Sequence, residues 1–227
     1  MFLNELSKPE YKRIFDSSWD FKGENTKCSN HGLHTYPAMM IPQIARRLIK
    51  EYGDAAEVLL DPFMGSGTSL LESKLNKDFL KAYGIDINPL AKLIAKVKTT
   101  PINSSILEKE AKFLLNNIKN DKIEIEFKQK KIDFPKLFNI DFWFKPQVIQ
   151  DLTIIKKNID LIKNEDVKDF MKVVFSEIVR TSSNTRNNEF KLYRINEEKL
   201  KKYSPNTIDF FERKVKKNIE SMDNFTK

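Results

Sequence analysis

Two aspartates and two glycines at short spacing are the residues of this chain best suited to hold a small ligand. Asp61 ends a short apolar run, Gly65 and Gly67 follow within a turn, and Asp86 ends the next apolar run. Glycine permits a positive φ and a close approach of the backbone to a ligand. A helix that starts after such a turn offers unpaired N–H groups and a partial positive charge, which suit a carboxylate. The carboxylate of Asp86 would suit a ribose diol.

The elements around these residues determine where they would meet. The pattern predicts a buried strand over residues 56–61, a helix from Thr68 to Leu75, a strand from Phe79 to Ile85 and a helix from Pro89 to Lys98. Strand, turn, helix and strand in this order indicate a parallel sheet that is covered by helices. Such sheets bind ligands outside the carboxyl ends of their strands. An amphipathic helix over residues 41–52 precedes the first strand.

Three kinds of cofactor could use this turn. A dinucleotide fingerprint requires a third glycine, where this chain has Leu70, and a phosphate-binding loop requires Gly-Lys-Ser/Thr, which is absent. The segment DPFMGSGT, residues 61–68, resembles the S-adenosylmethionine-binding motif of DNA amino-methyltransferases and of some RNA guanine-N2 methyltransferases. The resemblance therefore implies S-adenosyl-L-methionine as the cofactor.

Two flanking segments extend the resemblance to DNA amino-methyltransferases. GIDINPLA (84–91) is similar to the second motif of the family, and HGLHTYPAMMIPQIARRLI (31–49) is similar to the motif that precedes the cofactor loop in circularly ordered members. The resemblance implies that an aromatic-proline pair closes over the methionine end of the cofactor, and that an acidic residue holds its ribose. The cofactor-binding residues assigned in this way are Tyr36, Pro37, Asp61, Pro62, Phe63, Gly65, Ser66, Gly67, Thr68, Asp86 and Ile87.

The fold implied by the resemblance is α/β: the Rossmann-like parallel sheet of a class I methyltransferase, incomplete in this chain and followed by a mainly helical region. We expect an N-terminal arm over residues 1–35, the cofactor-binding part over 36–100 and a helical extension over 101–227, which could contact DNA or a partner.

Within the extension, four helices and one strand are predicted. A capping box at Ser105–Glu108 begins a helix, and Lys122–Lys128 alternates like a strand with one wet face. Further helices are predicted over residues 149–162, with Pro146 opening the first turn, and over 167–178. The last helix would begin at Ser204-Pro205. Apolar stripes at helical spacing mark these last two helices and include Phe170 and Met171 in the first and Phe211 in the second.

The motif that performs the chemistry in this family is missing from the sequence. Amino-methyltransferases of this kind hold the target nitrogen with an Asn, Asp or Ser followed by Pro-Pro and an aromatic residue, and the base must leave the helix. All nine prolines of this chain are isolated, so it has no such motif and no catalytic residue is assigned. Cys28 follows Lys27 rather than the proline that precedes the nucleophile of carbon-5 methyltransferases.

The charge balance favours a polyanionic partner. The formal net charge is +8 among 227 residues, although many basic proteins bind no nucleic acid. The segments FWFKP (142–146) and SNTRNNEFKLYR (183–194) also resemble parts of cytosine-N4 methyltransferases. The residues considered for contact with DNA are Arg180, Arg186, Arg194, Lys201 and Lys202.

Composition also excludes several classes of protein. A single cysteine permits no internal disulfide, and no apolar run approaches the ~20 residues of a membrane span. No apolar signal-peptide stretch opens the sequence, so a cytoplasmic location is expected. Two histidines and one cysteine do not make a metal site, and His34 is better explained by closure of the arm.

We therefore expect the cofactor-binding subunit or half of a DNA methyltransferase that acts on an exocyclic amine, with cytosine N4 favoured over adenine N6. The catalytic Ser/Asp/Asn-Pro-Pro-aromatic motif would come from a second subunit or from a C-terminal half not present in the sequence. The alternatives are an RNA guanine-N2 methyltransferase fragment and a non-catalytic cofactor-binding scaffold.

Overall fold

A computed structural model describes residues 14–54, 56–76, 81–128, 132–186 and 191–226. Within these ranges, two short strands lie near the N-terminal end and helices make up most of the remainder. In chain order the elements are α1 (Pro42–Tyr52), β1 (Val58–Asp61), α2 (Thr68–Asn76), β2 (Lys81–Gly84), α3 (Pro89–Thr99), α4 (Ser104–Lys128), α5 (Ile140–Trp143), α6 (Pro146–Asp160), α7 (Glu165–Ser182), α8 (Glu197–Lys202) and α9 (Thr207–Thr226).

The two strands pair in parallel, as the strand-helix-strand pattern predicts. Val58 pairs with Lys81, and Asp61 pairs with Gly84. Residues 79 and 80 of the predicted second strand lie outside the described residues. A two-stranded sheet with covering helices is consistent with a methyltransferase-like α/β fold, but a complete Rossmann-like sheet is not present among the described residues.

The prediction that β1 is buried was wrong. Val58 and Leu60 on one face are 51% and 61% exposed, and Tyr83 on β2 is 53% exposed. The strand is apolar on both faces, but among the described residues α2 is the main element that packs against this small sheet. An apolar strand is typical of a complete sheet that is covered on both faces, and the described residues do not include such a sheet around β1.

The hydrophobic core lies in the helices rather than in the sheet. It joins apolar side chains of α3, α4, α6, α7 and α9 with Leu33 from a 3₁₀ turn at Ser29–Leu33. The predicted stripes on α7 and α9 are confirmed, because Phe170, Met171 and Phe211 are fully buried. Since Leu33 of the arm and Ile94 of α3 belong to the same core, the glycine-containing turn after β1 is built on a helical base.

The predicted strand at Lys122–Lys128 was wrong, because these residues form the last turns of α4. Lys122 pairs with Glu126 at 3.2 Å, and Lys128 pairs with Glu124 at 3.7 Å, both at the i,i+4 spacing of a helix. Ile125 packs against the core. Helical continuity and ion pairing therefore outweighed the local alternation.

The start of α4 also differs from the predicted capping box. The helix begins at Ser104, and the side chain of Asn103 accepts a hydrogen bond from the N–H of Ile106 at 3.2 Å. Asparagine is as good an N-terminal cap as serine, so the cap lies two residues before the predicted Ser105. None of the helices in the described ranges combines the length and apolar character that a membrane span needs.

Candidate functional site

The turn between β1 and α2 has the backbone that its glycines permit. Gly65 and Gly67 adopt φ values of +50° and +76°. The N–H of Met64 donates to the carbonyl of Ile85 at 3.0 Å, which ties the turn to the end of β2. The turn therefore lies at the carboxyl ends of both strands, where the sequence placed the ligand site.

Gly67 has a second reason to lack a side chain. A Cβ atom at this position would lie 2.7 Å from Cβ and 3.1 Å from Cα of Ala95 on α3. The turn is thus pressed against a helix backbone that has little freedom to move. Gly65 is less crowded, because its added Cβ would lie 3.8 Å from Cε1 of Tyr36.

We expect Gly67→Ala to lower the free energy of unfolding by about 1–3 kcal/mol, because both the positive φ and the contact with Ala95 oppose a methyl group. Urea denaturation would measure the change. Gly23→Ala is the matched control, since Gly23 has a φ of +84° but no atom near its added Cβ. An equal loss in both variants would mean that the close approach of α3 contributes nothing beyond the backbone strain.

Both predicted acidic residues contact the turn. Asp86 accepts hydrogen bonds from the N–H of Gly65 at 2.9 Å and from the N–H of Asn88 at 2.8 Å. Asp61 accepts from the N–H of Phe63 at 3.0 Å and from the hydroxyl of Ser69. Each carboxylate oxygen has a further lone pair, so Asp86 can still accept from a diol while it holds the turn.

The segment that follows the arm, residues 36–40, lies against this turn through Tyr36 and Met40. Asn88 donates from its amide to the hydroxyl of Tyr36 at 3.1 Å and caps α3 by accepting from the N–H of Leu90 at 2.9 Å. Thr68 donates to the carbonyl of Met40 at 3.4 Å. The structure therefore brings together the three segments that the motifs singled out.

The assigned residues differ in their exposure. Ser66, Gly67 and Thr68 are buried, whereas Phe63 is 89% and Ile87 is 98% exposed, and Pro62 is exposed as well. An almost fully exposed isoleucine next to Asp86 offers an apolar surface to a flat ring. The buried hydroxyl of Ser66 accepts a hydrogen bond from Lys98 at 3.1 Å.

Sequence reasoning missed Lys98, which it treated as the end of a helix. The buried residues Ala91, Ile94 and Ala95 share one face of α3, and Lys98 continues that face with a side chain that is fully buried. A lysine at helical spacing within an apolar stripe is the signal that could have identified it.

The two histidines have different surroundings. His31 contacts the buried carboxylate of Glu72 at 2.8 Å, and Arg46 donates to the same carboxylate at 2.8 Å. Burial by itself would raise the pKa of Glu72, but the hydrogen bonds from His31 and Arg46 outweigh it and lower the pKa. His34 is buried, neither ring nitrogen has a hydrogen-bond partner among the described residues, and burial lowers its pKa to about 4.

The two segments that resemble parts of cytosine-N4 methyltransferases, residues 142–146 and 183–194, contact each other and form one unit. The sequence did not predict this contact. Asn184 donates from its backbone to the carbonyl of Trp143 at 2.7 Å and from its side chain to the carbonyl of Phe142 at 3.1 Å. Arg194 also donates to the carbonyl of Phe142 at 3.0 Å and lies over its ring. Asn187 and Asn188 of the second segment lie outside the described residues.

This unit and the arm enclose an open cavity of about 680 Å³. The cavity therefore joins the aromatic-proline pair to the segments that resemble cytosine-N4 methyltransferases. Its lining includes His34, Tyr36, Pro37, Asn88, Trp143, Phe144, Glu177, Arg180, Ser183 and Thr185.

The basic residues considered for DNA contact fall into separate places. Arg180 lines the large cavity, whereas Arg186 and Lys202 line a second recess of about 410 Å³. Arg194 pairs with Glu197, and Lys201 is exposed on α8. They do not form one continuous stripe, and their contact with DNA stays a prediction. No group of three or more potential metal ligands occurs among the described residues.

Comparison with known proteins finds a matching family model and two similar methyltransferases. A family model described as DNA methylase matches residues 2–97. The Type II methyltransferase M.MvaI of Kocuria varians is 45% identical over 219 residues, which are 93% of this chain and 48% of that protein. The Type II methyltransferase M.MjaII of Methanocaldococcus jannaschii is 33% identical over 125 residues, 52% of this chain and 23% of that protein. The chain spans at most about half the length of these relatives, and no solved structure matches it.

Proposed function

We propose that this chain forms the S-adenosylmethionine-binding half of a DNA amino-methyltransferase. The family match and the 45% identity to a Type II methyltransferase support this family. The observation that carries the proposal is the turn at Gly65–Thr68, held between Asp61 and Asp86 at the carboxyl ends of two parallel strands. The motifs themselves indicated the same family.

The geometry supports specific contacts with the cofactor. Asp86 would accept hydrogen bonds from the ribose hydroxyls, and the exposed Ile87 would lie against the adenine. The buried Ser66 and the start of α2 would face the methionine end, over which Tyr36 and Pro37 lie. The bound cofactor supplies the methyl group on a sulfonium, and the chain supplies orientation and exclusion of water.

The target proposed for this site is an exocyclic amine of DNA, with cytosine N4 favoured over adenine N6. The support for DNA is the family match, and the support for cytosine is the resemblance of residues 142–146 and 183–194 to cytosine-N4 methyltransferases. RNA guanine-N2 methylation has no comparable support. The Pro-Pro motif that would hold the amine is absent from these 227 residues, so we place it in a second polypeptide or in further sequence of the same protein.

Asp86→Ala is expected to weaken the binding of S-adenosylhomocysteine at least tenfold. Each charge-assisted hydrogen bond to the ribose contributes about 1.5–3 kcal/mol, and the variant loses the acceptor. Isothermal titration calorimetry on the purified chain would measure the affinity. Asp160→Ala is the control, because Asp160 is an exposed carboxylate on α6 that pairs only with Lys156 in the described structure.

Two results would count against the proposed function. Failure of the unmodified chain to bind S-adenosylhomocysteine would remove the cofactor assignment. Unchanged affinity in Asp86→Ala, with the fold verified by circular dichroism, would remove the ribose role of Asp86 and leave the wider site to be redefined.

A further inference from the structure

Lys98 is a buried cation with no anionic partner in the described part of the chain. Its side chain is fully buried on α3, and its ammonium lies 3.1 Å from Oγ of Ser66 and 3.9 Å from Sδ of Met39. No carboxylate lies within ion-pair distance of it among the residues that the structure describes. Burial lowers the pKa of Lys98 to about 8. At neutral pH the ammonium is therefore mostly charged, and its burial opposes folding.

Two other lysines of the chain have carboxylate partners, unlike Lys98 in the described structure. Lys96, two residues earlier on the same helix, pairs with Asp169 at 2.8 Å on the solvent side. Lys214, which is also largely buried, pairs with Glu177 at 3.0 Å. Buried charges in proteins are paired as a rule, so an ammonium at Lys98 with no anion among the described residues favours an anion from a bound ligand.

The position of Lys98 indicates which anion that would be. Its ammonium lies between Ser66, in the turn after β1, and Met39, which follows the aromatic-proline pair Tyr36-Pro37. Under the proposed function, on which this inference rests, the methionine end of the cofactor occupies the same place. That end carries a carboxylate.

We propose that Lys98 is a positioning residue for the carboxylate of the cofactor, which it recognises through the hydroxyl of Ser66. Ser66 accepts the hydrogen bond of Lys98, so its own O–H is available to donate towards the ligand. A hydroxyl that accepts from a cation is the more strongly polarised donor. The ammonium thus acts from beneath the turn without touching the ligand.

The test compares two ligands that share the adenosine and the sulfur but differ in the amino acid. S-adenosylhomocysteine carries the carboxylate, and 5′-methylthioadenosine lacks it. We expect Lys98→Met to weaken the first ligand at least tenfold and to change the affinity of the second by less than about twofold, both by calorimetry on the full chain. Lys96→Met is the matched control, because it removes a lysine from the exposed face of the same helix, and it should change neither affinity.

Stability supplies an independent readout. Since Lys98→Met removes a buried unpaired charge and keeps the length of the side chain, the melting temperature of the unliganded variant should stay equal or rise. A purely structural lysine would give a lower melting temperature. Ser66→Ala removes the hydroxyl and leaves the ammonium of Lys98 without this hydrogen bond, so it should lower the melting temperature. It should also weaken S-adenosylhomocysteine severalfold while sparing methylthioadenosine.

The outcomes separate the inference from the proposed function. Equal weakening of both ligands, or no weakening of either, by Lys98→Met overturns the role of Lys98 while the cofactor assignment stands. If Lys98→Met does not fold, the same comparison with Lys98→Gln decides, because glutamine can still donate to Ser66 but carries no charge. If the unmodified chain binds neither ligand, the cofactor assignment fails and this inference fails with it.

Discussion

Methyl transfer to DNA is expected to be undetectable with this chain alone and to rise at least about 10³-fold when a polypeptide with the Pro-Pro motif is added. In-line attack requires a nitrogen whose lone pair is held towards the sulfonium, and positioning and hydrogen bonding of that amine supply the acceleration. The turn at Gly65–Thr68, where we propose that the methyl donor binds, offers no group of that kind. The labelled methyl group of the cofactor would be followed into DNA.

The added polypeptide would be selected for a Ser-, Asp- or Asn-Pro-Pro-aromatic sequence. Candidates are a neighbouring reading frame and the part of the Kocuria varians relative that this chain does not match. Alanine in place of the first residue of that motif, or Asp86→Ala in this chain, should each abolish the gain. Mass spectrometry of the product would distinguish cytosine N4 from adenine N6.

Robust transfer by the chain alone would contradict this division of labour, and Ser183 and Asn184 would then be the first residues to examine. Cofactor binding without transfer in every mixture would favour a non-catalytic scaffold.

Glu72→Gln is expected to lower the free energy of unfolding by about 3 kcal/mol, the second large effect. Glu72 is fully buried on α2, and its carboxylate contacts both His31 and Arg46. The neutral amide of glutamine would leave this buried cluster without its negative charge. Urea denaturation at pH 7 measures the loss. Glu51→Gln is the control, because the pair of Glu51 with Arg47 is partly exposed and should contribute less than about 1 kcal/mol.

The effect of Glu72 should depend on pH in a defined direction. Its pKa in the folded chain lies below the ordinary value of 4.5, so its stabilising contribution is present above that value and is lost as the pH falls through the folded pKa. The difference between the unmodified chain and Glu72→Gln should therefore shrink in acid. A difference that stays constant from pH 7 to pH 3 would assign the loss to packing rather than to charge.

The sequence predicted local elements well wherever one helical face is buried. The stripes at Phe170, Met171 and Phe211 needed only a period of 3.6 residues. It failed at Lys122–Lys128, where alternation imitated a strand, because the partner Asp151 of Lys122 comes from a helix distant in sequence. It also failed on the burial of β1, because burial of a strand depends on neighbours that the strand does not encode.

The candidate site likewise contains residues that the sequence could place and contacts that it could not predict. Asp61, Gly65 and Asp86 could be placed from spacing alone, since Asp61 ends β1, Gly65 lies in the turn that follows it, and Asp86 lies just beyond the end of β2. The contact between Asn184 and Phe142 could not be predicted, and neither could the bond between Lys98 and Ser66, because each joins positions far apart in the sequence. Such pairs are determined by the packing of helices, and periodicity carries no information about them.

The location of the hydrophobic core has a consequence for how cofactor binding should be detected. The core cluster contains residues of five helices and none of β1 or β2, so the turn at Gly65–Thr68 lies at the margin of the cooperative unit. Such a margin can open by local fluctuation without global unfolding. A ligand that binds the folded turn but not the unfolded chain stabilises the protein against this local opening and against global unfolding alike. A thermal shift would therefore show that the cofactor binds, whereas slower hydrogen exchange at the amides of Gly65 and Gly67 would show that it binds at this turn.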